Sequence, residues 1–202
     1  MILGGNDAHD ATPLSDEDLD GLIPTWVISR ADLNLAEQAN IERAFGWAYE
    51  PRRIRRLTAE RLLTREFSDE LHRRMFASVW AWAGKPRNRE TNIGVDPALI
   101  PVKLRDAFDD ARFWHHNSSM TAEEIAVRIH HRLVAIHPYR NGNGRHTRLI
   151  GDLYLTMTEG RNLTWGGTSL VDETLERRRY IDALRKADNG DYAMLFEFAT
   201  AK

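Results

Sequence analysis

Residues 137–148 read His-Pro-Tyr-Arg-Asn-Gly-Asn-Gly-Arg-His-Thr-Arg, and this short run holds most of the chain's candidate chemistry. His137 carries a ring that takes up a proton near neutral pH, the property of a general base. Gly142 and Gly144 allow the backbone to approach a ligand closely, and they sit where a helix begins. The first turn of a helix has amide groups with no intrahelical acceptor, so it receives anionic oxygens. Arg145 and Arg148 are three residues apart, which puts both guanidinium groups on one helix face, where their forked donors can reach one polyphosphate. Together these parts describe a nucleotide with its phosphates on the loop while His137 activates an incoming nucleophile. Reactions at phosphorus require little beyond such positioning and neutralisation of developing charge.

Each part alone has a plainer explanation. A histidine before proline commonly ends a helix, Gly-Asn-Gly commonly makes a turn, and paired arginines commonly serve surface ion pairs. Their concentration at one helix start is what favours the functional reading. The flanking sequence supplies that start. Ile125, Ile129, Leu133 and Ile136 form the apolar stripe of a helix opened by a Thr121–Glu124 capping box and stopped near His137 by Pro138. Leu149, Ile150, Leu153, Tyr154 and Met157 form the stripe of the next, with Gly160 to end it.

Upstream, Asp32 or Asn34 is the expected cap of a helix carrying Leu35, Ile41, Phe45 and Tyr49 inward. Ser68 is the expected cap of another, with Leu71, Met75, Val79 and Trp82 as its core face. Residues 84–101 hold Gly84, Pro86, Gly94, Pro97 and Pro101 among β-formers and read as a short β-hairpin or flap. Residues 104–114 return to helix, and Leu175, Ile181, Leu184, Leu195, Phe196 and Phe198 mark a last helical region. The expected class is all-α with one small β element, divided into an N-terminal arm, 1–31, and a catalytic domain, 32–202.

The twelve-residue run resembles the Fic signature, in which His-Pro-Phe is followed by any residue, an acid, Gly-Asn-Gly-Arg, two free positions and Arg. Trp82-Ala-Gly84, Arg89 and Asn92-Ile-Gly94 resemble the approach to the Fic flap, and Arg179-Tyr-Ile-Asp-Ala-Leu184 resembles a late helix of the family. The likeness covers roughly residues 32–198. It implies a Fic-fold helical bundle with a β-hairpin flap, along which Thr91, Asn92, Ile93, Gly94 and Val95 would dock a target segment. It also implies protein adenylylation: His137 would deprotonate a Ser, Thr or Tyr hydroxyl of a protein substrate. Gly142, Asn143 and Gly144 would form the anion hole, and Arg145 and Arg148 would hold ATP phosphates. Tyr139 replaces the signature Phe. Asn141 stands where the family has the Asp or Glu that holds Mg²⁺, so magnesium would rest on an amide oxygen without charge.

Two other functions within this frame are transfer of the γ-phosphate, as in a Doc-like phosphotransferase, and a non-enzymatic nucleotide-binding module. Such enzymes are commonly restrained by a helix bearing Ser or Thr, three residues, Glu, then Gly or Asn. Ser169–Glu173 is followed by Thr174, and Glu159–Gly160 has Leu155 at the hydroxyl position, so neither matches. The expectation is therefore an antitoxin-like inhibitor acting in trans through Arg148.

Composition sets outer bounds. The 28 basic and 30 acidic residues give a formal charge of −2, no field for nucleic acid or a membrane surface. Cysteine is absent, which removes thiolate chemistry and fits a cytoplasmic protein. No apolar run is long enough to span a membrane. The acids Asp7, Asp10, Asp16, Glu17, Asp18 and Asp20 mark an acidic arm, whereas Arg52, Arg53, Arg55, Arg56, Arg61 and Arg65 mark a basic helix face. His115, His116, His130, His131, His137 and His146 lack a His-Glu-x-x-His spacing, which argues against a metallohydrolase.

Overall fold

The computed structural model describes residues 19, 21–166 and 173–201. Most of the acidic arm and Ser169 lie outside the described residues. Nine helices are described: α1 (Arg30–Ala48), α2 (Pro51–Ile54), α3 (Ala59–Leu62), α4 (Arg65–Phe76), α5 (Ile100–His116), α6 (Ala122–Ile136), α7 (Asn143–Glu159), α8 (Glu173–Asp188) and α9 (Ala193–Thr200). A 3₁₀ turn, Pro97–Leu99, leads into α5.

The central pair is α6 on α7, flanked by α5 against α6, α1 against α4, and α9 against α8. The capping box at Thr121 and Glu124 forms with both arms, and α6 buries Ile125, Ile129, Leu133 and Ile136. Leu149, Ile150, Leu153 and Tyr154 are the buried face of α7, which ends at left-handed Gly160. Removing each such side chain from water contributes about 1.5–3 kcal/mol, so this pair anchors the loop between its helices.

Two helices differ from the sequence expectation. Ser29, not Asp32 or Asn34, caps α1: its Oγ accepts from Asp32 N, while the Asp32 carboxylate accepts from Ile28 N and Ser29 Oγ. Leu35 and Phe45 face solvent, because the inward stripe is Leu33, Ala36, Glu37, Asn40, Ile41, Ala44 and Ala48. Two polar members disguised that stripe. Thr64 caps α4, with its Oγ1 accepting from Phe67 N, so Ser68 lies buried inside the helix and Val79 and Trp82 lie beyond its end.

Among the described residues no strand forms, and the one bridge joins Leu22 to Trp80. Residues 85–96 are irregular rather than a hairpin. The physical reason is Arg87, whose guanidinium donates to the carbonyls of Arg89 and Val95, acceptors that a cross-strand ladder would otherwise use, and ties the stretch to His137 O at the end of α6. Residues 21–23 run beside 79–81 through Ile23 N to Val79 O and Ala81 N to Gly21 O, both 2.8 Å.

The basic run becomes a surface feature. Arg52, Arg53, Arg56 and Arg61 line a cleft of about 460 Å³ with Glu50, Leu57 and Phe67, and Arg53 lies 4.0 Å over the Trp47 ring. No helix among the described residues is long and apolar enough to cross a membrane.

Candidate active site

His137 is the residue at which α6 stops. Its N–H donates to Leu133 O, but its backbone turns to φ 52°, ψ 62°, because Pro138 blocks a right-handed continuation. A left-handed non-glycine residue costs on the order of 1 kcal/mol, and Arg87 offsets it. Arg87 is buried, and its Nε donates to His137 O at 2.7 Å while its backbone N donates to Pro138 O at 2.8 Å. Gly94 closes on the same residue: a Cβ there would meet His137 Cβ at 2.6 Å. Val95 N donates to Ile136 O, so the expected flap segment crosses the end of α6. Burial, followed by the nearby Arg87 charge, lowers the His137 pKa to about 4. The imidazole is therefore neutral at physiological pH and able to accept a proton.

The loop after His137 is held from behind. Tyr139 is fully buried, yet its hydroxyl donates to Asp69 Oδ1 at 2.8 Å, lies 3.0 Å from Ser68 Oγ, and its ring stacks on His72 at 3.8 Å. These partners explain how tyrosine fits at the signature phenylalanine position. His72 Nδ1 accepts from Gly84 N, so its Nε2 donates to Asn141 O at 3.0 Å. His146 Nε2 donates to Ser68 O at 2.9 Å. Asn143 clamps the turn with both halves of its amide: Oδ1 accepts from Tyr139 N and Nδ2 donates to Tyr139 O. Its side chain thus shapes the loop, and only its backbone amide is left for an anion.

Gly142 caps α7 at φ 78°, and a Cβ there would lie 2.4 Å from the Phe76 ring. Gly142→Ala is expected to destabilise the fold by about 2 kcal/mol or more, since left-handed strain and aromatic overlap add. Gly160→Ala, at φ 70° with nothing within 4 Å, meets the strain without the overlap and should cost about 1 kcal/mol. Urea unfolding of both variants checks this, and equal losses would show that Phe76 yields freely.

The first intrahelical bond of α7 runs from His146 N to Gly142 O, so the amides of Asn143, Gly144 and Arg145 precede the ladder. A Cβ on Gly144 would meet nothing nearer than Tyr180 Oη at 3.7 Å, leaving that first turn open. Arg145 and Arg148 do project from the same helix. Arg148 lies 4.3 Å over the Tyr180 ring, and its buried Nε has no hydrogen-bond partner among the described residues. Arg145 lies 5.0 Å over Phe76, and its Nη2 pairs with Glu37 Oε2 at 2.7 Å.

Glu37 was not singled out from sequence. It is a buried carboxylate on α1 whose other oxygen accepts from Trp80 Nε1 at 2.8 Å. It lies outside the inhibitory pattern, because Leu33 stands four residues before it and Gln38 follows it. Arg87 and Trp80 also escaped the sequence reading. Their types are unremarkable, and only the folded chain brings them to the site.

Asn141 Oδ1 accepts from Gly142 N at 2.6 Å, and the described residues contain no group of three or more His, Cys, Asp or Glu able to hold an ion. The second lone pair of that oxygen is what the loop would offer a Mg²⁺ held otherwise by ATP phosphates. The remaining histidines have other partners: His115 meets Tyr154 Oη, His116 meets Glu60, and His131 bridges Asp188 and Tyr192.

Buried imidazoles make the fold acid-sensitive. His137 and His146 are lowered from 6.5 to about 4, each chiefly by burial, and burial lowers His72 and His130 well below the usual value. The unfolded chain then binds more protons between about pH 6.5 and 4, so stability falls as pH drops through that window. Each of the first two contributes on the order of 3 kcal/mol to that loss by about pH 4. Asp152, raised to about 6 by burial, works oppositely because the folded chain holds its proton more tightly, and Asp69 is also raised by burial. Four imidazoles outweigh the two acids. Thermal midpoints are expected to drop steadily from pH 6.5 to 4.5, and a constant midpoint would show that these rings protonate without cost.

Residues 62–155 match the model of the Fic/DOC family. "Probable protein adenylyltransferase y4lH" of Sinorhizobium fredii is 31% identical over 133 residues, covering 62% of this chain and 65% of that one. "Protein adenylyltransferase fic-1" of Caenorhabditis elegans is 28% identical over 129 residues, 60% of this chain and 23% of its own length. The chain thus spans less than two thirds of the length of either relative. Among solved structures, C. elegans Fic-1 (residues 134–508) superposes with a TM-score of 0.65 at 21% identity, covering 91% of this chain and 51% of that one. The N-terminal FIC domain of Bep8 from Bartonella sp. 1-1C gives 0.65 at 19% identity over 87% and 88%. The helical order is therefore the Fic fold, and its central residues, 62–155, match the model of the Fic/DOC family.

Proposed function

We propose that this chain is a protein adenylyltransferase that moves AMP from ATP to a Ser, Thr or Tyr hydroxyl of another protein. The observation that carries the reading is the juxtaposition of a neutral, buried His137 with the open first turn of α7 and its two arginines. His137 takes the proton of the target hydroxyl as that oxygen bonds the α-phosphorus. The bond from the α-phosphorus to the bridging oxygen breaks, and pyrophosphate leaves. Arg145, Arg148 and the amides of Asn143, Gly144 and Arg145 stabilise the charge that develops. A pKa of about 4 is low for a base working near neutrality, and the negative phosphates of bound ATP would raise it toward the working range. Relatives named protein adenylyltransferase support the same reading.

The exposed backbone of Asn92, Ile93 and Gly94, with Thr91 and Val95 at its edges, is the proposed landing place for the target segment. The Glu37–Arg145 pair favours an internal restraint over the antitoxin-like partner, since a carboxylate of this chain already occupies a phosphate-binding arginine. Incubation with ATP labelled at either the α- or γ-phosphate, followed by intact-mass spectrometry of lysate proteins and of the chain itself, tests the function. Label from the α-position and a gain equal to AMP are expected. Label from the γ-position alone would identify a phosphotransferase, and no transfer would favour a nucleotide-binding module.

A further inference from the structure

Behind Arg148 lies a buried chain of polar contacts that the catalytic reading leaves unused. The guanidinium rests on the Tyr180 ring at 4.3 Å. Tyr180 Oη lies 3.0 Å from His130 Nε2. His130 Nδ1 lies 3.0 Å from Thr147 Oγ1, which in turn lies 3.3 Å from Gly144 O. His130 and Thr147 are both wholly buried.

The direction of this chain is fixed at its carbonyl end, and the neutral imidazole passes it on, so His130 Nε2 accepts from the Tyr180 O–H. A carbonyl only accepts, so Thr147 O–H points to Gly144 and His130 Nδ1–H points to Thr147. A neutral imidazole protonated at Nδ1 satisfies both demands at once. Trp165 packs on His130 with ring centres 4.5 Å apart, and its Nε1 donates to Asp152 at 2.9 Å, so the ring has little freedom to turn. The result links the guanidinium of Arg148 to the carbonyl of Gly144 through three side chains from α8, α6 and α7. Among the described residues Arg148 Nε remains a buried donor without an acceptor, so the group is held with capacity for an anion.

We propose that Tyr180, through His130 and Thr147, is the positioning residue that aims Arg148 at the nucleotide phosphates and thereby sets ATP affinity. The inference rests on the nucleotide reading above and adds which residue outside the signature governs it. Tyr180→Phe keeps the ring beneath the guanidinium and deletes only the hydroxyl. In the full chain it should raise the ATP Kd and KM by about threefold to tenfold, the worth of the one buried hydrogen bond that fixes the ring beneath Arg148, with kcat within about twofold of the parent. In an Arg148→Ala background the same change should move the Kd by less than about twofold, since the hydroxyl acts through that arginine. Nitrogen-15 spectra of the ligand-free chain should show His130 protonated at Nδ1. ATP binding that Tyr180→Phe leaves unchanged, or an equal loss in both backgrounds, overturns this proposal alone. An Nε2-protonated His130 also overturns it, without reference to nucleotide. No ATP binding by the parent chain overturns the nucleotide reading and this proposal together.

Discussion

His137→Ala is expected to reduce AMP transfer by about 10² to 10⁴, while ATP binding stays within about threefold of the parent. The two readouts separate because different parts of the structure carry them. The imidazole is at the end of α6, held by Arg87 at its carbonyl and by Gly94 against its Cβ. The groups proposed to bind phosphate belong to α7, whose start is fixed by the Asn143 clamp on Tyr139 and by His72 on Asn141 O. Truncation at Cβ removes the proton acceptor and leaves those supports untouched. Because the buried ring is neutral, its loss also removes one contributor to acid sensitivity, so the variant should unfold at slightly lower pH than the parent. Radiolabel transfer and calorimetric ATP titration on the same preparation decide the matter. Parental transfer by the variant would show that another group takes the proton.

The candidate site was legible in sequence to the extent that it is contiguous. His137, the glycines and both arginines lie within twelve residues, and the capping box, Pro138 and Gly160 fix the helices around them by local rules that hold in the fold. Residues that act from a distance were not legible. Arg87 replaces a hairpin by supplying donors to carbonyls, and nothing in a Gly- and Pro-bearing stretch announces that one guanidinium will serve three of them. Ser68 is a good cap by type, yet Thr64 takes the role because the buried Tyr139 hydroxyl needs Ser68 inside. The inward face of α1 was misread because Glu37 and Asn40 interrupt its apolar period. Both are buried for their partners: Asn40 Nδ2 donates to Arg74 O, its Oδ1 accepts from Ser78 N, and Glu37 meets Trp80 and Arg145. A polar residue on a core stripe is a signal in itself, since burial of a carboxylate requires compensation.

That carboxylate yields the second large effect. Glu37→Gln is expected to tighten ATP binding by at least about tenfold and to raise auto-modification of the purified chain in step. Glutamine keeps the shape and still accepts from Trp80 Nε1, so the change isolates charge from packing. Two consequences follow from the lost charge. Arg145, whose side chain is 42% exposed, is released from a 2.7 Å ion pair and can turn to phosphate. The incoming triphosphate no longer meets a negative group whose own side chain is only 5% exposed. The first effect is small, because solvent screens a half-exposed arginine. Repulsion between like charges about 4 Å apart, at the effective dielectric of a protein surface, is on the order of 4 kcal/mol, so the second effect dominates and tenfold is a conservative figure. Trp80→Phe removes the N–H that orients Glu37 but keeps the charge, and it should release activity only partially. Calorimetry with ATP and intact-mass measurement of the chain after incubation with it compare the three proteins. If Glu37→Gln matched the parent in both, while a second protein added in trans controlled activity, the restraint would lie outside this chain and the Glu37–Arg145 pair would be structural.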